Sequence, residues 1–131
     1  MEDQALIELA MTFFVLIVFA FVGWSMRALS TGQLGRNSWI GIRTKAVTHC
    51  DRCWLLGHHA AAAKTNIGLV AGAIMLVVPA IAGFFVDIPD AVHRGSLLAA
   101  LAILVAGLLL GARDAKWVTS KIHQQSTAAD A

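Results

Sequence analysis

The sequence predicts an all-α integral membrane protein: three transmembrane helices, plus a cytoplasmic interfacial amphipathic helix in the first loop. Three observations carry that prediction: the composition, three long uncharged runs, and a lopsided placement of Lys and Arg. Of the 131 residues, 58% are hydrophobic and only 14% are charged, with a mean hydropathy of +0.72. An ordinary soluble domain carries about 25% charged residues, so this chain needs an apolar solvent outside as well as an apolar core inside. Its length suits one membrane domain, 1–131, and leaves no room for a separate soluble catalytic module.

The uncharged runs are Leu9 to Met26, Thr65 to Val86 and Gly95 to Ala112, of 18, 22 and 18 residues. A hydrocarbon core about 30 Å thick takes roughly 17–25 apolar residues of helix to cross, and backbone polar groups inside lipid are satisfied only within helices or closed barrels. Extended by tolerant flanks, the spans are expected at about 6–28, 65–86 and 93–112. The first run is expected to stay on the mature protein and not to act as a cleavable leader, because Glu2, Asp3 and Glu8 replace the positive start such a segment needs and its apolar stretch is too long.

Nine Lys and Arg residues lie in the stretch 27–64, which contains the loop 29–64, and in the tail 113–131, against Arg94 alone on the other side. The positive-inside rule then places the N-terminus outside, with the basic loop and the C-terminus cytoplasmic. Trp24, Trp39, Trp54 and Trp117 are the available interfacial anchors, since Tyr is absent.

Within the spans, Gly68-x-x-x-Gly72 and Gly107-x-x-x-Gly111 are small-residue pairs that let helix backbones approach. The short connection Asp87–Arg94 makes spans two and three antiparallel neighbours, so these glycines are read as their mutual packing face before a self-association face. Pro79 is expected to bend the second span, and Asp87-Ile88-Pro89-Asp90 to turn into the third helix. No ionisable residue stands mid-span, which argues against an ion-coupled transporter. Glu8, at the edge of the first span, is read as a solvated interfacial acid.

The distinctive chemistry lies in the basic loop. Residues 31–44 carry three glycines and no helical period, and read as an ordered turn-rich segment. From Ala46 to Ala63 a helix is expected, with Thr48 or Cys50 as its cap. Val47, Cys50, Trp54 and His58 follow at spacings that share one face. That face is expected to press on the membrane surface or on the ends of the spans; Arg52 and His59 lie off it, which makes the helix amphipathic and interfacial.

The string Arg36-Asn37-x-x-Ile40-Gly41-Ile42-Arg43-Thr44, followed by Trp54 and His58, resembles the signature of the SdpI-like family of small bacterial membrane proteins. That family takes its name from a protein giving immunity to a peptide toxin. The resemblance covers residues 34–85 and places Asn37, Gly41, Arg43, Thr44, Trp54 and His58 at the family's motif positions, as a binding surface or a structural clasp. Lys45 stands where a proline often follows the threonine. His49-Cys50 stands where small polar residues usually open the helix. The toxin-immunity member carries a further membrane domain that this sequence does not contain.

The resemblance implies a bacterial cytoplasmic-membrane protein that is not an enzyme and acts by contact in the bilayer. Its role would be immunity or signalling against a membrane-active peptide, or accessory service to a larger membrane complex. The partners expected are membrane lipids and either another membrane protein or such a peptide, with no nucleic acid and no cofactor. A homo-oligomeric channel or transporter component is the alternative, although the spans offer few polar residues to line a pore. The oligomeric state stays open.

The segment His49-Cys50-Asp51-Arg52-Cys53 with His58 and His59 invites a zinc reading. The spacing opposes it: on one helix Cys53 and His58 point roughly 140° apart, and the usual second ligand pair comes a dozen or more residues later. A redox pair at a helix start is a further possibility. The plain reading is two reduced cysteines used as small apolar side chains. Arg43 with Thr44 is expected to hold the loop by bonding carbonyls at the C-terminal end of a span. No nucleophile–base pair, phosphate loop or nucleotide fingerprint is present.

Overall fold

The computed structural model describes the backbone of residues 2–129 and the side chains of residues 6–125. The side chains of Glu2 and Asp3, and residues 130–131 of the expected tail, lie outside the described residues. Four helices follow one another: α1 (Glu2–Ser30), α2 (Lys45–Thr48), α3 (Asp51–Ala82) and α4 (Asp90–Ala129). Of these, α1, α3 and α4 are long and apolar enough to cross a membrane. Large apolar side chains cover their outer surfaces, among them Phe13, Phe14, Ile17, Ile67, Val70, Leu98 and Leu109.

The expected interfacial helix over 46–63 is not set apart as an element. Instead α2 ends at Thr48, and α3 begins at Asp51 and runs unbroken to Ala82. The physical reason is the continuity of the buried stripe. Trp54, His58, Ala61, Thr65, Gly68, Gly72 and Leu76 are buried at spacings of three and four, so the face that starts at Trp54 is the face that packs lower down. With nothing to interrupt this period, the helix has no cause to turn at residue 64.

Rising about 1.5 Å per residue, α3 and α4 are roughly 48 and 60 Å long, well beyond a core of about 30 Å. They are antiparallel neighbours, so the surplus of both emerges at the same end, where the basic residues lie. Between them the glycines govern the approach. A Cβ on Gly68 would stand 2.9 Å from the Gly107 Cα, and one on Gly111 would stand 2.9 Å from the Ala61 carbonyl oxygen. By contrast, α1 reaches α3 through side chains, with Phe19 lying over Gly72, where a Cβ would meet the Phe19 ring at 2.6 Å.

Two apolar clusters result. Val15, Phe19, Leu76, Ala100 and Leu104 fill the middle of the three-helix array. Met26, Leu29, Val47, Trp54, Ala61 and Ala115 form the second cluster at the basic end, with Leu34, Ile40 and Ile42 packed on it. At the opposite end Glu8 meets Arg94 at 3.8 Å, so this acid is paired as well as solvated. Pro79 sits inside α3, four residues from its end at Ala82 if both are counted.

Candidate functional site

The motif segment is built onto the basic end from the last turn of α1. Thr31 N–H bonds the Arg27 carbonyl at 3.0 Å and Leu34 N–H reaches back to the Ala28 carbonyl at 3.1 Å. Gly32, with φ +76°, supplies the left-handed residue that lets the chain turn there. Asn37 then organises the next turn: its Oδ1 accepts from the amides of Trp39 at 2.9 Å and Ile40 at 2.8 Å. Its Nδ2 donates to the Gly35 carbonyl at 3.0 Å. A side-chain amide used this way replaces a ladder partner for two backbone donors.

Gly41 is where the loop touches α3. Its φ is +116°, and a Cβ would stand 2.6 Å from His58 Nε2 and 3.1 Å from Trp54 Cη2. Only glycine fits both the backbone and the space. The approach lets Ile42 N–H donate to His58 Nε2 at 2.8 Å, while His58 Nδ1 lies 2.8 Å from the Trp54 carbonyl. Because Nε2 accepts, Nδ1 carries the proton and donates, which makes this a neutral imidazole with both nitrogens used. His58 is fully buried, and Trp54 is 2% exposed. Trp54 Nε1 donates to the Leu34 carbonyl at 3.2 Å, so Trp54 and His58 hold the two ends of the loop on α3.

Arg43 and Thr44 act differently from the expected clasp on span carbonyls. Arg43 Nη1 donates to the Ser38 carbonyl at 2.8 Å, inside the loop itself. Thr44 caps α2, its Oγ1 accepting from Val47 N–H at 3.4 Å. The residue that takes free helix carbonyls is Arg36, whose Nη1 reaches Thr48 and His49 at 3.1 and 3.3 Å. Arg36 also pairs with Asp51 at 3.5 Å, and so bridges the joint between α2 and α3. Arg36 stands in the motif, but only the fold reveals this role.

Below this loop lies an open cavity of about 550 Å3, walled by α1 (Phe21, Met26) and α4 (Leu108, Leu109), with Arg43 and Thr44 at its roof. It exists because α1 packs on α3 and leaves α4 largely uncovered. Ser25 lines the cavity. Its side chain is 6% exposed, and its hydroxyl has no hydrogen-bond partner among the described residues. A buried hydroxyl left unpaired costs about 1–3 kcal/mol, which makes it notable in an otherwise apolar wall. In the sequence Thr12 and Ser25 are the polar residues the first span offers a pore, and no pattern marks Ser25 as buried.

At the α2–α3 joint, Cys50 and Cys53 form a disulfide, which departs from the expectation of two reduced cysteines. Cys50 is the N-cap of α3 and Cys53 lies in its first turn, and this puts their Cα atoms 5.0 Å apart, within bridging range. His58 does not join them, since both its nitrogens are engaged elsewhere; the histidine beside the sulfurs is His49.

Residues 33–112 match the family model of the SdpI/YfhL protein family, a span that contains every motif residue placed above. No match was found among curated proteins or among solved structures.

Proposed function

Since this chain belongs to the SdpI/YfhL protein family, we propose that it is a non-enzymatic membrane protein that works by contact within the bilayer. Its occupant is an apolar helix, from a membrane-active peptide or a neighbouring membrane protein, entering the groove between α1 and α4. The observation that carries this reading is the unpartnered, buried Ser25 hydroxyl in that groove. In lipid such a hydroxyl finds its partner on another helix, worth about 1–2 kcal/mol at most. The family motif supports the reading because it forms the groove's roof. Asn37, Gly41, Trp54 and His58 hold the loop in place, and Arg43 and Thr44 stand at the opening.

An immunity-type role follows most directly, with the chain sequestering or sensing a peptide that would otherwise act on the membrane. Service as an accessory subunit uses the same chemistry with a resident helix in place of the peptide. The charge bias supports one orientation for this reading, with the basic end and C-terminus cytoplasmic and the N-terminus outside, and family membership supports a bacterial inner membrane.

A photocrosslinking residue placed at Phe21 or Leu109 tests the groove in native membranes, with Ile74 on α3 as the control. One defined adduct at the two groove positions, absent at Ile74, is the expected result. Arg43→Ala should reduce that adduct without changing membrane insertion. Equal labelling at all three positions would remove the groove from consideration, and solute flux through liposomes holding the purified protein alone would favour a channel instead.

A further inference from the structure

The structure brings together four side chains that the sequence scatters over 75 positions. His49, Cys50 and Cys53 place one ligand atom each within 4.8 Å of one another. From the far end of α4, His123 sets its ring 5.0 Å from that of His49, edge to face. His49, Cys53 and His123 line one cavity of about 350 Å3, together with Thr119. We propose that, with the Cys50–Cys53 bond reduced, these four residues form a zinc site of the two-cysteine, two-histidine type, which ties the end of α4 to the α2–α3 joint.

Four arguments support the site. First, two thiolates and two imidazoles are a donor set that suits Zn2+ and completes a tetrahedron without solvent. Second, bond lengths of about 2.3 Å to sulfur and 2.0 Å to nitrogen put tetrahedral donors roughly 3.3–3.8 Å apart. His49, Cys50 and Cys53 already lie within 4.8 Å of one another, and the His123 ring has to close in from its contact on His49 to complete the set. Third, both cysteines sit at the start of α3, where the helix dipole favours thiolates. The amide of Cys53 already donates to Cys50 Sγ at 2.9 Å, as a metal-bound thiolate requires. Fourth, the ligands come from two segments about 70 residues apart in sequence (compare His123 with Cys53), which gives a structural metal something to hold together.

The disulfide and the metal exclude each other, since zinc binds the thiolate form. Two equivalents of a low-molecular-weight thiol reduce the bond, yielding the Cys50 and Cys53 thiols and one external disulfide. Zinc then displaces two thiol protons to solvent and takes both sulfurs. The site therefore reports the redox state of its surroundings through the anchoring of α4.

The test uses untagged, full-length protein in detergent, reduced with a phosphine and titrated with Zn2+ against a chromophoric chelator. One zinc per chain is expected in the reduced protein and none after oxidation. His49→Ala and His123→Ala should each weaken binding at least tenfold, and Cys50→Ser should abolish it, while His59→Ala leaves it unchanged. Co2+ in the wild-type protein provides a reading independent of variant folding: thiolate charge-transfer bands with strong tetrahedral d–d absorption are expected. An octahedral cobalt spectrum without thiolate bands, or zinc affinity indifferent to His49 and His123, would overturn the site.

Discussion

The α3–α4 seam and the α1–α3 seam both join apolar helices, yet they close at different distances. Along α3–α4 the backbones touch, because Gly68 faces Gly107 and Gly111 faces Ala61 with no room for a Cβ between them. Along α1–α3 side chains intervene: Phe19 fills the space over Gly72, and Leu69 lies against Gly23, where a Cβ would stand 3.6 Å from its Cδ1. Lipid gives helices no hydrophobic reason to associate, so close packing of small residues supplies much of the attraction. The difference teaches that α3 and α4 form the fixed unit, while α1 depends on a few large side chains and on the loop at its C-terminal end. The groove between α1 and α4 is the direct consequence.

The largest expected effect comes from breaking the tight seam. Gly107→Leu forces a branched side chain against the Gly68 Cα and the Lys64 carbonyl oxygen. Separating two backbones costs about 3 kcal/mol or more, enough that the protein should not accumulate as a folded species in membranes. The same substitution at Gly95, where nothing lies within 4 Å of a Cβ, should accumulate normally. Equal levels of the two variants would mean the α3–α4 contact is not what holds the array.

Next in size is the loop clasp that anchors α1. Gly41→Ala meets two penalties at once: about 1–2 kcal/mol for an L-residue at positive φ and crowding against His58 and Trp54. A loss of about 3 kcal/mol is expected, read as a lower midpoint of denaturation in detergent. His58→Ala should cost about 2 kcal/mol, since it removes a fully buried side chain and leaves the part-buried Ile42 amide without its acceptor. If the clasp is what steadies α1, both variants should also raise proteolysis between residues 30 and 45. Unchanged cleavage with a lowered midpoint would separate the loop's stability from α1's position.

These seams were legible in the sequence to different degrees. The spans and the glycine pairs declare themselves through uncharged length and four-residue spacing, which local physics reads directly. The face shared by Trp54 and His58 was legible too, but not what covers it. Of the two places expected for that face, the membrane surface and the ends of the spans, the fold favours the second, since the face belongs to a stripe that continues from Trp54 to Leu76 inside α3. A helix of 32 residues needs no membrane beside its first turns when α4 runs equally far beyond the core. Arg43 is expected on span carbonyls because helix C-termini leave carbonyls free; it stays inside the loop on the Ser38 carbonyl, and Arg36 takes the carbonyls of Thr48 and His49 at the end of α2. His123 is out of reach of any motif, since its neighbours depend on how far α4 extends.

The smallest effect on stability is expected at Ser25, and it bears most directly on the groove. Its hydroxyl makes no bond among the described residues, so Ser25→Ala removes a polar group that the fold does not use. Stability, read from the midpoint of denaturation, should not fall and should rise by up to about 1 kcal/mol, as an unpaired buried hydroxyl is removed. Capture of the groove's occupant should nevertheless weaken, because an interhelical hydrogen bond in lipid contributes roughly 0.6–2 kcal/mol, a few-fold to about thirtyfold in affinity. The two readouts pull apart only if the hydroxyl serves a partner. A variant with unchanged stability and unchanged crosslinking at Leu109 would leave Ser25 a plain space-filler, and the gap beside α1 a mere by-product of the looser seam.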